Sequence, residues 1–193
     1  MRKVILMVIC LARIVIIFAQ EETGVVINGI TWATRNVDSV GKFAERSESP
    51  GMSYQWNKKY ACPVKDGVSE WDATDPTGTT WEAINDPSPD GWRVPTRTEI
   101  EKLLDTTKVE YEWTTKNDVE GGRFTDKVTG KSIFLPATEW QVFANGTFYH
   151  GHYWSSEDAN GYNAYHLFIC KGMSRRYHSD YRFCFSIRPV KKT

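Results

Sequence analysis

Hydrophobic residues along this chain recur mainly at alternating positions in short runs, a pattern that is typical of β-strands. Residues 25–37 place two such runs on either side of Asn28-Gly29, a dipeptide that favours a two-residue hairpin turn. Other short runs, rich in aromatic and β-branched residues, are predicted as strands at 52–56, 123–127, 131–135, 149–155, 164–170 and 183–190. No helix or strand is predicted in the polar stretch at 105–122.

One stretch changes to helical spacing. Trp92 carries apolar bulk towards the interior just before it, and Thr96 and Glu99 have the spacing of a capping box. From Ile100 onwards, apolar residues recur every three or four positions with charged residues between them. This pattern predicts a short amphipathic helix over 97–104.

Length and composition narrow the fold class. The chain has 193 residues, 13% aromatic content and eight Trp residues, which suffices to bury one sizeable core. We assign Trp32, Trp92 and Trp154 to that core. No internal repeat or low-complexity linker interrupts residues 20–193. We therefore predict a single α+β domain of short antiparallel strands with one or two short helices.

The first 19 residues differ from the rest. Basic residues precede an apolar run that Arg13 alone interrupts, and the small residue Ala19 closes it. We interpret 1–19 as a secretory signal peptide, with lipid attachment at Cys10 as the alternative. Cleavage would remove three of the 24 basic and none of the 24 acidic residues, leaving a net charge of −3. The predicted location is therefore secreted or cell-surface, and no basic surface for nucleic acid is expected.

Several segments carry a family resemblance. Gly91-Trp92-Arg93-Val94-Pro95-Thr96 resembles the signature of the Fibrobacter succinogenes major paralogous domain. Similar segments follow the family's order at 29–37, 134–137, 153–156 and 186–190, so the resemblance covers nearly all of the chain after residue 19. The resemblance implies a C-type-lectin-like fold, because that family is related to it.

Metal and cofactor signatures are sparse. His150-Gly151-His152 can place two imidazoles on one strand face, but the sequence offers no third ligand nearby, so no metal site is predicted. The paired motifs by which lectin-like folds bind calcium are absent, and calcium binding is not expected. Phosphate loops, dinucleotide fingerprints and nucleophile elbows are also absent, so no cofactor is predicted.

The cysteine count leaves one thiol over. Beyond Cys10, the chain carries Cys62, Cys170 and Cys184, so at least one of them is free or pairs between chains. Cys170 and Cys184 could join neighbouring strands, although nothing in the spacing demands this. Thiol catalysis needs a histidine and a carboxylate or amide group beside the cysteine, and no cysteine here has both at a typical spacing. The chain is therefore not predicted to be an enzyme.

Residues 162–185 have the composition of a binding surface, with Tyr, His, Arg, Ser, Asp and Phe together. From 174 to 190 the chain also lacks Gln, Glu, Lys, Met and Trp, and in this it resembles the variable region of retroelement-diversified proteins. A plain β-hairpin with aromatic pairs is the alternative. The predicted ligand-binding residues are Tyr162, Tyr165, His166, Phe168, Arg175, Arg176, Tyr177, His178, Asp180, Tyr181 and Arg182.

Together these observations predict a secreted or cell-surface, non-catalytic module that binds a protein or glycan through its C-terminal hairpin region. A structural or adhesin subunit of a surface appendage is the first alternative. The second is an enzyme related to formylglycine-generating enzymes, which share the related fold but rely on thiols at a defined site.

Overall fold

Antiparallel strands and one α-helix form the part of the chain that the structure describes. The structure is a computed structural model, and it describes residues 22–65, 68–69, 72–144 and 146–193. In chain order the strands are β1 Val25–Ile27, β2 Ile30–Trp32, β3 Val64–Lys65, β4 Val68–Ser69, β5 Trp92–Arg93, β6 Val109–Lys116, β7 Val119–Asp126, β8 Ser132–Pro136, β9 Glu139–Phe143, β10 Gly146–Asp158, β11 Asn163–Cys170, β12 Met173–Asp180 and β13 Val190–Lys191. The helix α1 spans Arg97–Leu103, and a 3-10 turn spans Ala83–Asn85.

These strands form three sheets and one two-residue ribbon. The first sheet has the order β1-β2-β13-β5, the second β12-β11-β10-β9 and the third β6-β7-β8, while β3 pairs with β4. All strand pairs within the sheets are antiparallel. The described chain is thus a β-rich mixed fold with one α-helix, as the sequence predicts at the level of class.

The two ends of the described chain meet in the first sheet. Asn28 and Gly29 form the predicted turn between β1 and β2, with φ values of 46° and 78°. Strand β13 pairs with both β2 and β5. Nearby, the Arg188 guanidinium donates to the Asn36 side chain at 2.7 Å and to the Ala33 carbonyl at 3.2 Å. This buried contact ties the C-terminal segment to the N-terminal one.

Helix α1 has the predicted cap. The Thr96 side chain accepts from the Glu99 amide at 3.2 Å, and the Glu99 carboxylate accepts from the Thr96 amide at 2.8 Å. The same carboxylate pairs with Arg93 at 2.7 Å. On the inner side of the helix, Ile100 and Leu103 are buried. The cap and the apolar stripe explain why a helix of only two turns is stable here.

Two hydrophobic clusters fill the interior. The first lies between α1 and the second and third sheets and includes Trp32, Phe124 and Leu167. The second lies beneath the long loops and includes Trp56 and Trp154. Trp32, Trp92 and Trp154 are all buried, as predicted, so these three large rings belong to the core.

Three predicted boundaries are wrong. In the strand predicted at 52–56, only Tyr54 takes part in β-structure, through a single bridge to Phe185. The stretch left without an element contains β6, which pairs with β7 along its full length. The predicted strand at 183–190 is extended, but in the structure only Val190 belongs to a strand, while Phe185 bridges Tyr54 and Ser186 bridges Tyr153. This segment passes between Tyr54 and Tyr153 and does not run alongside a single strand, so it forms isolated bridges and no continuous ladder.

Some predictions concern residues that the structure leaves out. The signal peptide at 1–19, with Cys10, lies outside the described residues, and so does Asn145 of the turn before β10. No helix in the described ranges combines the length and apolar character needed to cross a membrane.

Candidate functional site

The second sheet sorts the C-terminal side chains onto two faces. Directly opposed residues in antiparallel strands point to the same face. Strand register pairs His150 with Glu139, His152 with Phe168, and His166 with both Trp154 and Tyr177. We call this side the aromatic face, formed by Glu139, Phe148, His150, His152, Trp154, His166, Phe168, Arg175 and Tyr177.

One end of the aromatic face is closed by the C-terminal segment. The Phe185 ring stacks on His152 with 4.4 Å between ring centroids, and it packs on Trp154 at 4.5 Å and on His166 at 4.8 Å. Trp154 donates from its indole nitrogen to the Tyr54 carbonyl at 2.7 Å. This end of the face therefore belongs to the hydrophobic core.

The other end of the aromatic face is open. Phe168 meets Tyr177 edge to face at 5.6 Å, and the Arg175 guanidinium lies 5.4 Å from the Tyr177 ring. Phe148 stacks on His150 at 5.1 Å with its outer side exposed. Phe183, also exposed, stacks on Phe185 at 5.7 Å. We call Phe148, Phe168, Arg175, Tyr177 and Phe183 the aromatic platform.

Imidazole rings run beneath the platform. Ring centroids of His150 and His152 are 5.3 Å apart, and Nδ1 of His152 lies 3.4 Å from Nδ1 of His166. The Nε2 atom of His166 then lies 3.0 Å from Ser179 Oγ. Burial lowers the pKa of His152 to about 3 and that of His166 to about 4, with nearby imidazoles adding to the effect. Both rings are therefore neutral at physiological pH.

These two pKa values predict an acid-sensitive fold. Native His152 and His166 stay uncharged below pH 6.5, whereas the unfolded chain protonates them, so acid favours unfolding. We expect the free energy of unfolding to fall by about 2 kcal/mol between about pH 6.5 and pH 5.5, roughly 1 kcal/mol for each histidine. Urea unfolding followed across this range in EDTA measures the slope.

Two variants isolate the cause. His166→Gln should flatten the slope by about half, while His178→Gln, a change at an exposed ring, should leave it intact. Carboxylates with lowered pKa, such as Glu99, titrate below this window and do not contribute. A free energy of unfolding that stays level from pH 6.5 to 5.5 would contradict the neutral, buried assignment.

The opposite face of the sheet carries another set of predicted residues. Tyr165 lies between two guanidinium groups, with Arg97 at 4.8 Å and Arg176 at 4.7 Å from its ring centroid. Glu101 pairs with both arginines, at 2.8 Å and 3.1 Å. His178 meets the edge of Tyr165 at 6.4 Å. Both arginines share the single Glu101 carboxylate, so this group carries one positive charge in excess.

The remaining predicted residues lie in the turn between β10 and β11, at the end of β12 or just beyond it. Tyr162 is exposed, and Arg182 pairs with Asp180 at 2.6 Å. Tyr181 is buried, stacks on Trp56 at 4.7 Å and donates its hydroxyl to Asp158. The predicted set is therefore divided between two faces and a loop.

Two predicted contact residues need correction. Tyr181 and His166 are buried, at 3% and 1% exposure, so neither can present its side chain to a macromolecule in this conformation. Their packing against Trp56 and Phe185 makes them part of the core. Substitutions at these two positions should therefore lower stability, because buried aromatic contacts are lost.

The cysteine pairing differs from the option considered from sequence. Cys62 forms a disulfide with Cys184, and Cys170 is buried and free. Cys170 and Cys184 are therefore not partners, although one thiol is left over as the odd count requires. The disulfide joins the central loop to the segment that carries Phe183 and Phe185.

A cleft of about 740 Å³ lies among the central loops. Its lining includes Asn57, Lys58, Cys62 and Asp72, and Lys58 pairs with Asp72 at 2.9 Å. None of the eleven predicted ligand-binding residues lines this cleft in the described part of the chain. The cleft and the aromatic platform are therefore two separate candidate sites.

Sequence reasoning missed two members of the platform. Phe148 and Phe183 were not singled out, although each lies two residues before a buried ring, that of His150 or Phe185. Phe148, His150, His152 and Trp154 alternate with other residues along β10, and this period of two was the available signal. Register with β11 and β12 was needed to place Tyr177 and Phe168 beside them.

Comparison of this chain with protein-family models, curated proteins and solved structures finds no match. The class that the structure defines is a β-rich mixed domain with one α-helix and a sheet face that is open at one end. The assignment to the major paralogous domain family and to the C-type-lectin-like fold stays a prediction.

Proposed function

We propose that this chain is a non-catalytic binding module that recognises a protein or glycan through the aromatic platform. The observation that carries the proposal is the contact of Phe168 with Tyr177, flanked by Arg175 on the open part of a sheet face. Phe148 joins this group through His150, and Phe183 borders it on the outer side of Phe185. Tyr177 is 41% exposed, and Phe183 and Phe148 are also exposed. Soluble domains rarely leave large apolar side chains grouped together unless a partner covers them.

The chemistry of the platform fits both ligand classes. Aromatic rings held by their neighbours provide contact area at little cost in conformational entropy. Tyr and Arg are also the residues that most often dominate binding energy. A sugar ring can stack on Tyr177, while Arg175 supplies charged donors beside it. A flat platform suits an extended surface better than a small molecule, which favours concave sites.

The finer assignments belong to the same proposal. The platform lies within the region that resembles a retroelement-diversified surface, and a C-type-lectin-like domain of the major paralogous family is the fold that the resemblance implies. Export to the cell surface is supported by the Cys62–Cys184 disulfide, since disulfides persist in oxidising compartments. No catalytic role, calcium or nucleic acid forms part of the proposal.

Two alternatives use other features. An appendage subunit would use the exposed edge strands β9 and β12 for assembly, because edge strands offer unpaired backbone groups. An enzyme related to formylglycine-generating enzymes would use the cleft beside Cys62, whose sulfur is bonded to Cys184. Both alternatives leave the aromatic platform without a role, so the binding module is preferred.

A pair of matched variants tests the proposal on glycan and protein arrays. The platform variant is Phe148→Ser with Tyr177→Ser, and the control is Tyr149→Ser with His178→Ser. Each control residue neighbours a platform residue in the same strand and points to the opposite face. Wild type and control should bind the same array features, and the platform variant should lose about 30-fold in affinity for each ring.

The outcome separates the alternatives. Equal binding by the platform variant, with its melting temperature unchanged, would place recognition elsewhere. Loss of binding only in the control variant would assign recognition to the opposite face with Tyr165.

A further inference from the structure

Strand register brings potential metal ligands together near one edge of the second sheet. His150 and His152 lie two residues apart in β10, so both imidazoles point to the aromatic face. Gly151 between them faces the other side, where an added Cβ would lie 3.1 Å from Ile169, the Pro136 carbonyl and Tyr153. The backbone therefore packs closely at this point, which fixes the position of both histidines.

Strand β9 adds the third group that the sequence did not reveal. Glu139 pairs directly with His150 across the ladder, and its Oε2 atom lies 3.4 Å from His150 Nε2. One ligand atom from each of Glu139, His150 and His152 lies within 4.8 Å of the other two. Three potential ligands from two hydrogen-bonded strands thus converge.

The distances suit a small divalent ion. Zinc bonds to imidazole nitrogen and carboxylate oxygen are about 2.0–2.2 Å long, so ligands at tetrahedral corners lie about 3.3–3.6 Å apart. The 3.4 Å separation of Glu139 from His150 matches that spacing, while the ligand atom of His152, within 4.8 Å of both, would have to move closer on binding an ion. Imidazoles with one carboxylate favour zinc-like ions over calcium or magnesium, which prefer oxygen ligands.

Protein groups alone do not satisfy every hydrogen-bonding atom of Glu139, His150 and His152. The Nε2 atom of His150 faces Glu139, while its buried Nδ1 atom has no hydrogen-bond partner among the described residues and would stay unpaired with an ion bound at Nε2. Partial burial raises the pKa of Glu139, whose side chain is 41% exposed, and deeper burial keeps His152 in the neutral form that ligates metals. Behind His152, His166 and Ser179 continue the polar chain and can orient the ring.

We propose that Glu139, His150 and His152 bind a divalent transition-metal ion of the zinc class. The ion would join edge strand β9 to β10 beside Phe148 and so fix the border of the aromatic platform. Three protein ligands leave a fourth position for water or for a donor from another molecule. This inference concerns metal binding by the chain itself and does not rest on the proposed function.

Calorimetric titration of chelator-treated, full-chain protein with zinc chloride tests the proposal. We expect one zinc ion per chain, a higher melting temperature with zinc, and tetrahedral cobalt absorption bands when Co²⁺ replaces zinc. Glu139→Gln and His150→Gln should each weaken zinc binding by at least about tenfold. His178→Gln removes an imidazole on the opposite face and serves as the matched control.

Circular dichroism of each variant establishes that it is folded. Should His150→Gln fail to fold, Glu139→Gln decides the matter, because that carboxylate is 41% exposed and its amide substitute keeps the shape. Zinc binding by wild type and His178→Gln together with weakened binding by Glu139→Gln supports the site. No zinc uptake by wild type, or equal uptake by Glu139→Gln, overturns it.

Discussion

Replacing Trp154 by alanine should lower the free energy of unfolding by about 3–5 kcal/mol. The ring is buried where the second sheet meets the central loops, between Phe185 and His166. Its indole nitrogen satisfies the Tyr54 carbonyl at 2.7 Å. Truncation therefore leaves a cavity and removes this hydrogen bond, although the Tyr54 carbonyl still accepts from the Phe185 amide at 3.0 Å.

Urea unfolding measures this effect, and Tyr162→Ala provides a comparison. Tyr162 is an aromatic residue at 72% exposure in the turn between β10 and β11, so its loss should change stability by less than about 0.5 kcal/mol. Trp154→Ala should also weaken the support of His152 through displacement of Phe185. If both variants unfold at the same urea concentration as wild type, Trp154 does not anchor the sheet to the loops.

Removing the Cys62–Cys184 disulfide should lower stability by about 2–5 kcal/mol. The bond closes a loop with a sequence separation of 122 residues, and the entropy that it removes from the unfolded chain grows with loop length. It also holds the segment with Phe183 and Phe185 against the central loop. The platform border should therefore loosen together with the fold.

Thermal unfolding with and without reductant tests this prediction. For a chain of this size, each kcal/mol shifts the melting temperature by about 2–4 °C. Reduced wild type should melt like Cys62→Ser/Cys184→Ser, and reductant should not affect that double variant. Cys170→Ala keeps the disulfide and should retain the response to reductant. An oxidised wild type that melts at the same temperature as the double variant would contradict the proposed constraint.

Features that depend on residues close together in the sequence were predictable. The capping box of Thr96 and Glu99 and the Asn28-Gly29 turn depend on local hydrogen bonds and backbone angles, and both occur as predicted. The burial of Trp92 and Trp154 followed from their size and their positions in apolar runs. Strand β6 was not predicted, although apolar and polar residues alternate in Val109-Glu-Tyr-Glu-Trp113. The high polar content of the stretch was given more weight than this alternation.

Features that depend on distant pairing were not predictable from one sequence. Strand β12 lies at a sheet edge, where polar residues such as Arg175 and His178 are tolerated on exposed positions, so it lacks an apolar signal. The proximity of Cys62 to Cys184 depends on the path of two loops. The division of the predicted binding residues into two faces likewise depends on register, which composition alone does not specify.

Differential tyrosine modification tests the central claim most directly. Tyr177 on the platform and Tyr149 on the opposite face of the same sheet are 41% and 42% exposed, so a nitrating reagent should reach both in the free protein. Mass spectrometry would compare them with and without a saturating ligand recovered from the arrays. Our account predicts that the ligand protects Tyr177 and leaves Tyr149 reactive. Protection of Tyr149 with Tyr177 still fully reactive would contradict it.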